Sequence, residues 1–562
     1  MRREVSVVNK KVSSFPFLFA LLALLVSTCA VVFPASAQAA PTSTGSITVS
    51  GTVASSYDAY QIFSADVSDG DNDAKVYSQI AWANDARDAV LPVLHSAGMP
   101  NSQTTAQEAA EWLNADSHLT SALSAQLARS LQSSGAVSVP LNAGTAAELP
   151  CGYWLIVADD DAIAQNEAGT APIMALVGGS AVTVKPKAAT PKVAKHVLED
   201  GTAAWQKAAD ATVADDLYWR LSATVPAGLT AYDAYTVQFV DTMSAGLDPS
   251  KAAASMRVYV AAGADGNFDA VSTGKDGRAG TEPAKGWTDI TAQCATKVAA
   301  DGKTFTVRTG DLIAALGGAD AFTAGARVVA VYNAPLNSAC NHGIAKGNPN
   351  EVYLRYPRSP FADQSGDAGF TRTPSDDACA YTWDLALTKR GSDGDKPLAG
   401  AVLSIVDDRG RTLAADGTWD AEGKATVTTG EDGRVTVSGV DSGKLEVREL
   451  KAPKGYTAFE GARSVTVKAE GLDVDQVAAA KPKLTITAES PLRADSADGS
   501  TGSLEASLIN TPTGTPPSIT TGGFMPSTGD MAMYAAAAAA VTGAALIVVA
   551  LLVKRGGGSH KE

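Results

Sequence analysis

Three polar residues of this 562-residue chain fall on strand rows that should face an apolar interior. In Leu385-Ala-Leu-Thr-Lys389 the odd-numbered residues share one face, so Lys389 continues the row begun by Leu385 and Leu387. Leu445-Glu-Val-Arg-Glu449 places Glu449 in the same way, and Leu504, Ala506 and Leu508 lead to Asn510. A buried charge without a partner is strongly unfavourable. Burial favours the neutral amine and the neutral carboxyl, and a reaction then becomes available. The Lys389 amine can attack the side-chain carbonyl of Asn510 while Glu449 hydrogen-bonds that carbonyl and shuttles protons. Ammonia leaves, and a Lys–Asn isopeptide bond ties the opening strand of the unit to its last. Only proximity inside a fold makes so poor an electrophile react. The simpler alternative is a partly exposed Lys389–Glu449 salt bridge on a surface strand.

The same parity recurs upstream. Val193, Lys195 and Val197 share a face, as do Val237, Phe239 and Asp241, and Asn350, Val352 and Leu354 form a third row. Asn348 rivals Asn350 here, and Lys192 rivals Lys195. Core polar residues satisfied without any bond are the alternative reading.

Four segments carry a family resemblance. Lys389-Arg-Gly-Ser-Asp-Gly-Asp-Lys-Pro-Leu-Ala-Gly-Ala401 and Glu449-Leu-Lys-Ala-Pro-Lys-Gly-Tyr456 resemble the opening strand and the E-box of CnaB-type domains in SpaA-like pilins. The resemblance implies that Lys389, Glu449 and Asn510 form an isopeptide site, with Glu449 as the assisting acid. Gly347-Asn-Pro-Asn-Glu-Val-Tyr-Leu-Arg-Tyr356 is similar to the last-strand motif of the middle domain in pilus shaft proteins. Asp241-Thr-Met-Ser-Ala-Gly-Leu247 is similar to the segment carrying its acid. A second bond, Lys195–Asn350 assisted by Asp241, is the expectation.

The elements that must position these residues read mainly as β. Thr/Val alternation and 51 Gly point to tandem Ig-like or CnaB-type β-sandwich domains with long loops. Residues 40–187 read as an N-terminal domain that opens with the strands 46–50 and 60–63. A helical insert follows, in which Thr105-x-x-Glu108 is a capping box and Leu119, Leu123, Leu127 and Leu131 share a helical face. Strands at 152–157 and 180–184 close it. Residues 188–380 read as a middle β-sandwich and 381–512 as a compact domain with Asp416-Gly417 and Asp432-Gly433 turns. A Thr/Pro/Gly linker, 513–524, should be extended.

Both termini read as processing segments. Arg2, Arg3, Lys10 and Lys11 precede an apolar stretch from Phe15 to Phe33, and Ala35-Ser-Ala37 or Ala37-Gln-Ala39 fits a signal-peptidase site, so residues 1–39 are expected to be a signal peptide. At the other end, Met525-Pro-Ser-Thr-Gly529 precedes an apolar run, Met531 to Val553, and then Lys554 and Arg555. The run is long enough to cross a bilayer, with its basic tail held inside. This order resembles the LPXTG cell-wall sorting signal of Gram-positive surface proteins, with Met525 where Leu is usual. The resemblance implies that a sortase cysteine attacks the carbonyl between Thr528 and Gly529.

Between the first two domains, Val182-Thr-Val-Lys-Pro-Lys187 keeps the Val-x-Val-x-Pro-Lys core of the pilin motif of SpaA-type shaft pilins. Gly178 replaces the motif's Trp and Lys185 its Tyr. The resemblance implies that Lys187, with Lys185 as the fallback, attacks the sortase–pilin thioester and joins one subunit to Thr528 of the next.

Composition narrows the rest. The net charge is -15, from 60 acidic and 45 basic residues, which argues against a nucleic-acid partner. The five His show no metal-ligand spacing, and no cofactor is expected. Asp265-Gly-Asn-Phe-Asp269 could bind calcium but lacks the spacing of an EF-hand and reads rather as a solvated loop, and Asp159-Asp-Asp161 reads as an acidic turn rather than a hydrolase site. Cys151, Cys294, Cys340 and Cys379 should oxidise in pairs outside the cell, with Cys340–Cys379 favoured and the connectivity open. Altogether the resemblance implies an extracellular, wall-anchored shaft pilin that supports adhesion. Its partners would be polymerising and housekeeping sortases, further copies of itself, ancillary pilins and peptidoglycan. Its chemistry would be single-use rather than enzymatic. A monomeric wall-anchored adhesin, or a minor pilin at base or tip, is the other reading. No residue pattern names a host ligand.

Overall fold

A computed structural model describes residues 43–514, apart from 70–74, 85, 116, 187–189, 228, 264–270, 274–278 and 284. Residues 1–42 and 515–562, where the processing segments and most of the linker are expected, therefore lie outside the described residues. Among the described residues no helix is long and apolar enough to cross a membrane.

Among the described residues the chain is mainly β and builds three successive pairs of sheets, with a separate two-stranded ribbon of Val271–Thr273 and Ala279–Pro283. In the first, a three-stranded sheet of Ala146–Pro150, Thr44–Val49 and Val182–Val184 faces a larger one centred on Ser56–Asp69 and Gly152–Ala158. Every residue of Gly152–Ala158 is buried, because one side packs on the small sheet and the other on three helices. Those helices are Ala86–Ser96, Ala106–Asn114 and Ser121–Ser133. Thr105 caps the second through the reciprocal bonds with Glu108 that its spacing predicts. Leu123, Leu127 and Leu131 are buried along the third, whereas Leu119 precedes its first turn. The closing strand expected over 180–184 is shorter, Val182–Val184.

The middle pair sets a six-stranded sheet against a seven-stranded one. The six-stranded sheet includes Val193–Glu199, Tyr218–Thr224 and Arg327–Asn333, and the seven-stranded sheet includes Gln238–Met243, Asn348–Pro357 and Asp376–Tyr381. Trp219, Phe239, Phe305, Tyr332, Val352 and Leu354 fill the space between them.

In the last pair, Trp383–Gly391 lies between Arg434–Val440 and Ser503–Pro512 in a five-stranded sheet. Gly443–Lys451 belongs to the seven-stranded sheet opposite. The opening strand runs parallel to the last, and Lys389 stands level with Leu508 and Gly391 with Asn510. Tight turns such as that at Gly433, whose φ of 73° suits glycine, connect the strands.

Candidate functional site

The C-terminal pair of sheets brings Lys389, Glu449 and Asn510 together in its core, none more than 6% exposed. Alternation along each strand does the positioning: Leu385, Leu387 and Lys389 are buried on one row, Leu445, Val447 and Glu449 on another, and Leu504, Ala506, Leu508 and Asn510 on a third. The Lys389 ammonium nitrogen donates to Asn510 Oδ1 in a short contact. Glu449 Oε1 accepts from Asn510 Nδ2 at 2.9 Å and lies 3.3 Å from Lys389 Nζ. Its Oε2 accepts from the Phe459 backbone at 3.2 Å. One carboxyl oxygen thus touches both nitrogens. Burial draws the Lys389 amine down to about 8, against the pull of Glu449 in the other direction. The surface salt-bridge alternative is incompatible with this burial.

The middle pair of sheets builds a second constellation across its sandwich. Lys195 comes from the six-stranded sheet, and Asp241 and Asn350 from adjacent strands of the seven-stranded one; all three are fully buried. Lys195 Nζ donates to Asp241 Oδ2 in a short contact and to the Tyr332 hydroxyl at 3.0 Å. Tyr332 in turn donates to Asp241 Oδ2 at 2.8 Å and accepts from Asn350 Nδ2 at 2.9 Å. Burial lowers the Lys195 amine to about 8 and raises the Asp241 carboxyl above its ordinary range, so it favours the neutral form of each. Trp219 and Tyr332 flank the amine, each ring centroid 5.7 Å from Nζ.

The rivals stand elsewhere. Asn348 bonds the Asn341 backbone at both ends of its amide and also Ala380 O, while Lys192 is exposed. Tyr332 was absent from the sequence reading. Its strand, Arg327–Asn333, is buried on both faces, so alternation could not single it out. Lys207 was missed as well: it pairs with Asp376, whose Oδ2 also accepts from the Lys195 backbone at 2.6 Å, and so braces the strand that carries the amine.

The expected Cys340–Cys379 bridge is corrected by the structure. All four described cysteines are unpaired. Cys340 packs in the core of the middle sheets with its sulfur toward His342, whereas Cys379 packs with Tyr381 in the core of the C-terminal sheets. The two side chains serve different cores. Asp159 caps the short turn Asp160–Ala162, and Arg358 bonds Asp160 O, which gives this acidic run a structural role. The Asp265–Asp269 loop lies outside the described residues. Among the described residues no cluster of His, Cys, Asp and Glu is arranged to hold a metal.

Lys187 and the whole 525–529 motif, Met525, Pro526, Ser527, Thr528 and Gly529, also lie outside the described residues. Lys185 is exposed just after Val182–Val184, which pairs in parallel with Thr44–Val49.

A family model described as a SpaA prealbumin-like fold domain matches residues 384–481. The trypsin-resistant surface T6 protein of Streptococcus pyogenes serotype M6 is 31% identical over 134 residues, which are 22% of this chain and 23% of that protein. The chain thus matches about a quarter of that relative's length. Among solved structures, the T6 backbone pilin of the same organism aligns over 85% of this chain and all of its own, at 17% identity and a TM-score of 0.46. The major pilin SpaD of Corynebacterium diphtheriae aligns over 84% of this chain and 98% of its own, at 14% identity and a TM-score of 0.41. Residues 384–481 are therefore a SpaA prealbumin-like domain, and the chain carrying them shares a homologous segment of 134 residues with the T6 surface protein of Streptococcus pyogenes.

Proposed function

We propose that this chain is the major structural subunit of a covalently polymerised cell-surface pilus, stabilised internally by Lys389–Asn510 and Lys195–Asn350 isopeptide bonds. The observation that carries the reading is the pair of buried lysine, acid and asparagine constellations, each spanning strands far apart in sequence. A buried lysine against a buried carboxyl is expensive to keep for packing alone. Formation of an amide removes the charge and the ionisable amine together. Such bonds stop the two sandwiches from extending under tension. In this reading the chain has three domains, 40–187, 188–380 and 381–512, between a cleaved signal peptide and the 525–562 sorting signal. Sortase joins Thr528 of one subunit to Lys187 of the next, and a housekeeping sortase attaches the fibre to peptidoglycan. The chain is a sortase substrate whose isopeptide chemistry turns over once.

The test of assembly is an immunoblot of wall extracts boiled in SDS. A high-mass ladder that collapses to one band in Lys187→Ala supports the reading. A ladder that persists in Lys187→Ala and collapses in Lys185→Ala moves the linkage by two residues. A monomer-sized band alone in the expressed, anchored wild type would replace the shaft reading with that of a wall-anchored adhesin.

A further inference from the structure

The two constellations differ in how the acid reaches the leaving group. In the C-terminal site Glu449 Oε1 contacts both nitrogens itself, Asn510 Nδ2 at 2.9 Å and Lys389 Nζ at 3.3 Å. In the middle site Asp241 Oδ2 contacts Lys195 Nζ, but among the described residues no hydrogen bond joins Asp241 to Asn350. What stands between them is the Tyr332 hydroxyl, which donates to Asp241 Oδ2 and accepts from both Lys195 Nζ and Asn350 Nδ2. Among the described residues it is the hydroxyl that links the acid to the nitrogen that must depart.

We infer that Tyr332 is a catalytic residue of the middle domain, a proton relay between Asp241 and the departing amide nitrogen of Asn350. The inference rests on the reading of Lys195 and Asn350 as a bond-forming pair. As the Lys195 nitrogen bonds to Asn350 Cγ, its proton passes to Asp241 Oδ2 while the neutral carboxyl gives up the proton it already holds. Attack makes Nδ2 basic, so the Tyr332–Asn350 hydrogen bond reverses: the phenolic proton passes to Asn350 Nδ2, and the proton from Asp241 replaces it on the phenol. The Cγ–Nδ2 bond breaks with its electron pair on nitrogen, and ammonia leaves. One proton moves from Nζ to the leaving nitrogen, Asp241 and Tyr332 return to their starting states, and no other reagent is consumed.

The site is built for such a relay. Tyr332 is 1% exposed, and its ring is held edge-on by Phe305, with centroids 5.1 Å apart at 83°. Its hydroxyl has one donor and two acceptor positions, and all three are used by the reacting groups. Asn350 Oδ1 and Asp241 Oδ1 are both buried without a partner, a state that persists at a reacting centre more readily than in a passive core.

The experiment follows the full chain after cell-free synthesis, with linked peptides quantified by mass spectrometry against time. Wild type should accumulate both a 195–350 and a 389–510 linked peptide, each lighter by one ammonia. Tyr332→Phe should slow the first by roughly a hundredfold, within the usual range for a lost proton-transfer group, and leave the second unchanged. Phe305→Leu loosens the same packing but keeps the hydroxyl, and should cost far less. A Tyr332→Phe chain that links at the wild-type rate overturns the relay, as does a Phe305→Leu chain slowed equally. If Tyr332→Phe does not fold, difluorotyrosine at 332 keeps the ring and acidifies the phenol. It must shift the pH profile of linkage, and an unshifted profile overturns the relay. Absence of the 195–350 peptide in wild type would sink the bond itself, a distinct outcome.

Discussion

Lys389 and Asn510 lie on neighbouring parallel strands two positions out of register: Lys389 stands level with Leu508, and Asn510 with Gly391. Two positions is one full side-chain period, so both point to the same face, and the long lysine stem covers the offset. Glu449 meets them from the opposite sheet. Changing Glu449 to Ala should leave the strand register intact and abolish linkage. The expected result is loss of the 389–510 linked peptide and a chain heavier by one ammonia than the substitution alone explains. A link across 121 positions restricts the unfolded chain by about 5 kcal/mol in the loop-closure treatment. Denaturant unfolding of the C-terminal domain should record a loss of that order, and Asn510→Ala should record the same loss. A mass change in Glu449→Ala equal to that of the substitution alone would show that the acid is dispensable.

The pH dependence of linkage follows from the two lysines. Only the neutral amine attacks, and burial draws both Lys389 and Lys195 from 10.5 to about 8. Linkage measured on freshly synthesised chain should therefore quicken as pH rises toward about 8 and then level off. A rate flat well below that value would show that the amines are already neutral. In Asn350→Ala, which cannot link, Lys195 stays titratable. Between about 8 and 10.5 its unfolded form binds more protons than its folded form, so stability contributed by this group should rise with pH across that window.

Much of the C-terminal site was legible because on each of its strands an unbroken apolar row of every second residue leads to the polar one. In Gly443–Lys451 buried and exposed residues alternate from Leu445 to Glu449, and in Ser503–Pro512 every second residue from Leu504 to Asn510 is buried, with Ser507 buried besides, so simple parity carries Glu449 and Asn510 inward. The capping box at Thr105 was legible for a similar reason, since its spacing is set by one helical turn. Tyr332 was not, because neighbours on both sides of its strand are equally buried and its partners come from three other strands. Parity likewise says nothing about which core a cysteine enters. Cys340 and Cys379 flank the same strand in sequence yet pack on different sides of the boundary between two sheet pairs.

Those separate cores give a prediction about redox chemistry. Burial raises the thiols of Cys294 and Cys379 to about 11 and that of Cys340 above its ordinary value, which suppresses the reactive thiolate. The folded chain should therefore keep four free thiols in air, titratable only after unfolding, and reductant should leave its melting temperature unchanged. A lower melting temperature with reductant would show that a bridge forms.

The seam between the middle and C-terminal sheets should respond to pH in the opposite sense to Lys195. Asp210, at the end of the short strand Ala208–Asp210, is 2% exposed and accepts from Trp383 Nε1 at 2.6 Å and from the Ser442 backbone at 3.0 Å. Glu199 Oε2 accepts from the Asp210 backbone at 3.1 Å, and Asp441 and Asp200 complete the acidic surroundings. Burial first, then the Asp210 carboxyl, raises Glu199 from 4.5 to about 8; burial also raises Asp210 and Asp441. Between 4.5 and about 8 the folded seam binds more protons than the unfolded chain, so its stability should be greatest at the acid end and fall as pH rises through that window. Amide exchange at residues 199–210 and 441–442 should accelerate across it, and Glu199→Gln, which keeps the shape but cannot ionise, should flatten most of the change. Exchange that is equally steep in Glu199→Gln would assign the effect to Asp210 and Asp441. Exchange that is independent of pH in wild type, once corrected for intrinsic rates, would mean that these carboxyls remain charged within the seam.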